Sequence, residues 1–314
     1  MTKKTIFDLA SLTKPLATTL AVMHLVQHNK LNLEQSIESV LPEFKNSKKG
    51  EIQIKHLLYH NSGLVDYRPY YKTIGNLPVN KRKTALRELL ASEHLSYSTG
   101  EKIIYSDPGF MILEWIIENI TKMRFDHFVK EKVYAPFSFV SDHGLFFVGS
   151  DSKYDRELFA ATEFCPWRNA LVEGSVHDEN AYTTGGTGGH AGLFGTAYDV
   201  YELLSLLLSS FHGLTGKGIF QKELIRGFLA WQKTGARILG FDVPSLRDSA
   251  SGKYFSKRSA GHLGFTGTSF WVDFDRRVIV ILLTNRVHPS RNNIKIRFFR
   301  PVLHDAVMES ILRD

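Results

Sequence analysis

Apolar residues recur at Leu12, Leu16, Leu20, Met23 and Val26, the spacing of one helix face. The pattern predicts a helix from about Ser11 to His28, with Pro15 tolerated in its first turn and Asn29 as its C-terminal stop. The stretch from Leu31 to Pro42 reads as a turn and a short helix. Ile52-Gln53-Ile54 opens a segment that turns helical through His56–His60 and stops at Asn61-Ser62-Gly63. An amphipathic helix is expected over about Thr84–Glu93, a strongly apolar one over Phe110–Thr121 and a third over Phe125–Val133. From about Val140 to Thr187 the pattern is irregular, with glycine dense at 185–189. Helices resume at Tyr198–Phe211, entered through Thr196 and Asp199, and at Gln221–Trp231. The period then changes. Thr268–Phe274 alternates, Asp275-Arg276-Arg277 turns, and Val278–Thr284 is a continuous apolar run, so a hairpin with one strand buried on both faces is expected. Arg300–Leu312 reads as a final helix. Helices in the middle and strands at the end imply an α+β fold: a helical region beside an antiparallel sheet flanked by the first and last helices, with a cleft between them.

Composition narrows the picture. A chain of 314 residues, 43% hydrophobic, can build a sizeable core in one large domain or two. No run approaches the ~20 apolar residues of a membrane span, and Leu203–Phe211 is a buried-helix length. The single Cys165 excludes internal disulfides and a cysteine-based metal site. The net charge of +7 fits a solvated basic surface, or anionic surroundings such as cell-wall material. Lys and Arg are scattered and no nucleic-acid motif is present, so no nucleic-acid partner is expected. No apolar segment follows Met1-Thr2-Lys3-Lys4, so a complete chain would be cytoplasmic.

The candidate chemistry begins at Ser11-Leu12-Thr13-Lys14. One helical turn separates the serine and the lysine, which lets the amine reach the hydroxyl. A serine hydroxyl needs a neighbour to take its proton, and a lysine whose pKa burial has lowered can do so. Ser150-Asp151-Ser152-Lys153 has the same spacing without an apolar helix behind it and reads as a solvated loop. A second stretch, Tyr105-Ser106-Asp107-Pro108-Gly109, offers a phenol as general base with a serine and an aspartate to orient it. It is equally an ordinary helix N-cap. A third, Gly261-His262-Leu263-Gly264-Phe265-Thr266-Gly267-Thr268, is a glycine-rich entry to a strand whose backbone N–H groups could face a cleft. His262 there offers a donor, or is a solvated loop histidine. His24/His28 and His56/His60 lack the third ligand of a metal site, so neither metal nor cofactor is expected. Gly186–Ala191 has no strand leading into it, and no Gly-x-Ser-x-Gly is present. Trp167, Tyr182 and Trp231 read as packing residues.

Taken in order, Ser11-x-x-Lys14, Tyr105-Ser106-Asp107 and His262-x-Gly264 resemble the serine β-lactamase/penicillin-binding-protein superfamily, in its class C-like branch of esterases and D-amino-acid peptidases. Leu57–Leu64 and Gly189–Thr196 are similar to two further segments of that branch, so the resemblance covers nearly the whole chain. It implies a β-lactamase/transpeptidase-like catalytic domain over 1–314, discontinuous, with a helical region at about 30–195 and an α/β region at about 1–29 and 196–314. It implies an acyl-enzyme on Ser11, Lys14 and Tyr105 sharing the base role, and Asp107 where the family often has Asn. His262 replaces the lysine of the third motif, which argues against a true β-lactamase. The oxyanion hole would be the N–H groups of Ser11 and Phe265, and Asn61, His190, Gly264 and Thr266 would bind substrate. Lys233-Thr234-Gly235 has no strand after it and is set aside. The implied substrates are small esters or D-alanyl peptides derived from peptidoglycan; a catalytically silent binding relative is the alternative. The helix and two strands that usually precede the serine helix are missing here, which would leave an uncovered sheet edge suited to a homo-oligomer. A lost N-terminus would instead place the protein in the periplasm or outside the cell.

Overall fold

The computed structural model describes residues 1–136, 144–149, 155–214, 220–231 and 237–313. The Ser150–Lys153 stretch and Lys233-Thr234-Gly235 lie outside these described residues. The strands are β1 (Phe7–Asp8), β2 (Phe146–Phe147), β3 (Phe164–Cys165), β4 (Ala170–Leu171), β5 (Leu193–Gly195), β6 (Arg237–Ile238), β7 (Phe241–Asp242), β8 (Ser259–Leu263), β9 (Ser269–Asp273) and β10 (Val278–Leu282). The α-helices are α1 (Leu20–Gln27), α2 (Ile54–Leu58), α3 (Tyr71–Ile74), α4 (Val79–Ser92), α5 (Asp107–Thr121), α6 (Phe125–Phe128), α7 (Glu179–Thr183), α8 (Ala197–His212), α9 (Lys222–Phe228) and α10 (Ile296–Arg313).

Strands β6 to β10 form one antiparallel sheet in the order β10-β9-β8-β7-β6, and β1-β5-β2 form a second, small sheet. Its first strand delivers the chain to Ser11. The fold is the expected mixture of helices and antiparallel sheet. Helix α5 forms because Ser106 caps it, accepting the Gly109 N–H at 3.2 Å, and Pro108 sits where its missing N–H is harmless. Its run from Pro108 to Ile117 is buried. Helix α8 opens on a reciprocal cap between Thr196 and Asp199 and ends at Gly213 in the left-handed conformation.

Two expectations are corrected. The segment after Ser11 is not one continuous α-helix. Ala10–Leu12 is a 3-10 turn, Lys14–Thr19 winds as a π-helix, and only Leu20–Gln27 is α-helical before Asn29 stops it at φ +53°. One carbonyl of this stretch has a partner outside it: Tyr134 Oη donates to the Leu16 carbonyl at 2.8 Å. Strand β10 is not buried on both faces either. It pairs with β9 alone among the described strands and is mostly half-buried, whereas β9 is buried throughout. No helix among the described residues is long and apolar enough to cross a membrane.

Candidate active site

The turn that presents Ser11 is unusual. Ala10, the residue before it, is buried and adopts φ +48°, a conformation that costs a non-glycine residue energy. The Asp8 carboxylate accepts the Ala10 N–H at 2.8 Å, and Thr13 Oγ1 donates to the Ala10 carbonyl at 2.6 Å. These bonds hold the turn so that Ser11 is only partly buried while its neighbours are fully buried.

Lys14 has no exposed surface. Its ammonium donates to Ser11 Oγ at 3.0 Å and to the His190 carbonyl at 3.0 Å, and it pairs with Asp107 Oδ1 at 2.7 Å. The nitrogen also stands 4.6 Å from the Tyr105 ring centre. Tyr105 is half-buried, with its phenol in hydrogen-bonding contact with Lys14 and Ser11. Four expected site residues therefore meet. Asp107, the first residue of α5, reaches the site because the Ser106 cap fixes the start of that helix.

Charge states differ from the sequence expectation of a neutral lysine base. Burial alone would lower the Lys14 pKa, but Asp107 and Tyr105 beside it outweigh burial and raise it above its usual value. Burial also raises Tyr105; Lys14 pulls it back and Asp107 pushes it up again. At neutral pH the site thus holds an ammonium and a neutral phenol beside Asp107.

His262 is buried in β8, its ring centre 5.9 Å from that of Tyr105. Burial pushes its pKa down to about 4; Asp242 opposes this, and Lys14 and Arg237 add to it. Its Nδ1 lies 3.0 Å from the Leu263 carbonyl, which can only accept, so Nδ1 carries the proton in the neutral ring. Nε2 is then a lone pair with no partner among the described residues. The expected donor for a substrate carboxylate is an acceptor.

Other substrate-binding candidates are placed unevenly. The His190 ring is 3% exposed and bonded through Nε2 to Asp178 at 2.9 Å, so only its backbone carbonyl serves the site. The Thr266 hydroxyl is committed to the Asp8 carbonyl at 2.8 Å. Gly264 permits close packing: a Cβ there would lie 2.9 Å from the Leu9 carbonyl and 2.0 Å from Thr268 Oγ1. Asn61 Oδ1 is buried without a partner among the described residues. Phe265 is 47% exposed, and its ring stacks on His177 with centres 5.5 Å apart.

Several residues of the site escaped sequence reasoning. His60 stacks on Tyr105 at 4.6 Å, and its Nδ1 accepts the Ser106 N–H at 2.8 Å. Arg237 lies 5.2 Å from the Tyr105 ring centre and pairs with Asp242 at 2.5 Å. Asp178 lies in the polar stretch His177-Asp178-Glu179-Asn180, whose role the sequence leaves open; it caps α7 and holds His190. Asp8 had a signal: a lone carboxylate inside the apolar run Ile6–Ala10 needs buried partners. Glu163, Cys165 and Glu179 converge as metal sites do, but the Arg291 guanidinium bonds both carboxylates, at 2.5 and 2.6 Å.

A family model described as Beta-lactamase matches residues 1–300. An Escherichia coli strain K12 protein provisionally named D-alanyl-D-alanine carboxypeptidase is 30% identical, the alignment covering 91% of this chain and 70% of that protein. The Bacillus subtilis strain 168 protein named N-acetylmuramyl-L-alanine amidase is also 30% identical, over 92% of this chain and 69% of its own. Among solved structures, EstCE1, described as a hydrolase with promiscuous acyltransferase activity, superposes with a TM-score of 0.69 at 21% identity, covering 96% of this chain and 86% of that one.

Proposed function

This chain belongs to the beta-lactamase family and is a hydrolase of that type, and from that premise we propose that it works through an acyl-enzyme on Ser11, with an ester or a D-amino-acid amide as substrate. The observation that carries the reading is the contact of Ser11 Oγ with Lys14 and Tyr105 beside Asp107. The Lys14–Tyr105 pair, once it has lost one proton, takes the Ser11 hydroxyl proton as Oγ attacks the carbonyl carbon. The N–H groups of Ser11 and Phe265 receive the negative charge of the tetrahedral oxygen. The pair's proton then passes to the departing alkoxide or amine, the bond to the leaving group breaks, and the acyl group stays on Oγ. Water repeats the sequence and releases the acid.

The charges around Ser11 favour a substrate without a free carboxylate on its leaving side. Lys14 is paired with Asp107, Arg237 with Asp242, and His262 is neutral. An ester or an internal amide meets no unpaired charge there. The carboxypeptidase reading is supported by the name of the Escherichia coli relative and requires Arg237 to leave Asp242 for the substrate.

Intact-protein mass spectrometry after incubation with a fluorophosphonate, with Ser11→Ala as control, tests the nucleophile. One adduct in the native protein and none in the variant is expected. A folded native protein with no adduct would bring the binding-relative reading forward. Turnover of p-nitrophenyl esters against peptides ending in D-alanyl-D-alanine then separates the substrates. Rapid penicillin hydrolysis would overturn the preference against a β-lactamase.

A further inference from the structure

The proposed oxyanion hole takes its two N–H groups from different parts of the chain, Ser11 after β1 and Phe265 after β8. Something must hold them at a set separation, because a hole works only when both donors reach one oxygen. Asp8 reaches both sides.

Asp8 is 3% exposed and lies three residues before Ser11. One carboxylate oxygen accepts the Ala10 N–H at 2.8 Å, fixing the left-handed residue that sets the direction of the Ser11 N–H. The other accepts the His177 N–H at 2.6 Å. The His177 ring stacks on Phe265, with planes 26° apart. Its Nε2 is 3.3 Å from Glu163, which Arg291 holds in turn. The Asp8 backbone carbonyl accepts the Thr266 hydroxyl, and the Leu9 carbonyl accepts the Thr268 hydroxyl at 3.1 Å. Arg286 completes the frame over the Phe265 ring at 4.4 Å, with Nε donating to the Phe265 carbonyl at 2.8 Å.

We infer that Asp8 is a positioning residue that ties the Ser11 turn to the Phe265 turn and thereby fixes the distance between the two oxyanion donors. The inference rests on the acyl-enzyme reading and adds a residue to it. Both carboxylate oxygens are needed, since each meets an N–H. Asn keeps the shape but turns an N–H₂ toward one of these donors, so one side of the tie is lost without a cavity.

The test compares native protein with Asp8→Asn on a p-nitrophenyl ester. Active sites are counted by fluorophosphonate titration, and affinity for a boronic acid that mimics the tetrahedral state is measured alongside. A fall in kcat per titrated site of about 10- to 100-fold is expected, since a displacement of about 1 Å costs that order of rate. KM should hold, and boronate affinity should fall in step with kcat. Unchanged kcat per titrated site and unchanged boronate affinity, with only fewer active sites, would make Asp8 a folding residue and overturn the inference. If Asp8→Asn does not fold, Thr266→Val removes the hydroxyl that reaches the Asp8 carbonyl and should lower both quantities together; no change in either refutes the tie. A native protein that forms no Ser11 adduct fails at the earlier step and removes the acyl-enzyme reading and this one together.

Discussion

Replacing Asp107 with Asn should make the protein active at lower pH. The carboxylate lies 2.7 Å from the Lys14 nitrogen, and the lysine has no exposure to solvent. Opposite charges centred about 4 Å apart attract by about 4 kcal/mol at an effective dielectric of about 20. At about 1.36 kcal/mol per pKa unit this corresponds to about 3 units, the upper end of the ~1–3 units that a neighbouring charge produces. The other groups that bear on Lys14 stay in place: Tyr105, His60 and His262, and the His190–Asp178 pair. Without Asp107, burial is the largest remaining influence on the ammonium, and it favours the neutral amine. Asn still offers an oxygen to Lys14, so the geometry survives. The sign follows directly. The deprotonated base is scarce at neutral pH in the native protein because Lys14 and Tyr105 both titrate above their usual values. Lowering the Lys14 pKa brings the rising limb of the pH profile down by about 1–3 units. The assay is the rate of fluorophosphonate labelling from pH 5 to 11 in both proteins. A midpoint that stays put, or moves upward, would refute the assignment of Lys14 as part of the base.

Asp178→Asn should destabilise the protein more at pH 6 than at pH 9. Asp178 is held well below its usual value: burial opposes this, and His190 outweighs it. His190 is raised above 6.5 because Asp178 outweighs burial. The Asp178 contribution is present above about pH 3.8 and lost as pH falls through its folded value. The His190 contribution is present below about pH 6.5 and lost as pH rises through its folded value. Breaking this partly buried pair costs less than the about 3–5 kcal/mol of a fully buried one, and urea denaturation at both pH values measures it. Gly264→Ala would place a Cβ 2.9 Å from the Leu9 carbonyl and 2.0 Å from Thr268 Oγ1. It should cost about 1–3 kcal/mol in the same denaturation assay and slow Ser11 labelling, because β8 must move away from the serine turn.

What was legible in the sequence is local. The stripes and caps of α5 and α8 are written in neighbouring residues, and both helices stand where the pattern puts them. Ser11 and Lys14 are one turn apart, and that spacing survives even though the turn is not α-helical. The π-helix is not legible in neighbouring residues, and the stretch bonds to distant ones: Tyr134 Oη donates to the Leu16 carbonyl, and Thr18 Oγ1 to the Gly189 carbonyl at 2.5 Å. The place of strand β10 is not legible because an apolar run reads alike at the centre of a sheet and at its edge; only pairing distinguishes the two. The protonation of Lys14 is not legible for a similar reason. Burial is readable from an apolar neighbourhood, but the carboxylate that reverses its effect sits 93 positions further along, as the numbers of Lys14 and Asp107 show.

That reversal recurs around the serine and bears on how the chemistry is powered. Lys14 faces Asp107, Arg237 faces Asp242 and His190 faces Asp178, so each of these three cations has its own carboxylate. Fixed pairs of this kind are oriented dipoles that need little reorganisation when charge moves nearby. Removing one proton to form the base leaves a single negative charge in the site, which is why that form is scarce at neutral pH. Acylation then creates no further charge. The serine proton restores the Lys14–Tyr105 pair, and the negative charge passes to the oxygen held by the two N–H groups. The barrier therefore depends on how well those two donors are aimed rather than on any free cation, which makes the alignment imposed by Asp8 and the base poise imposed by Asp107 separable contributions to rate.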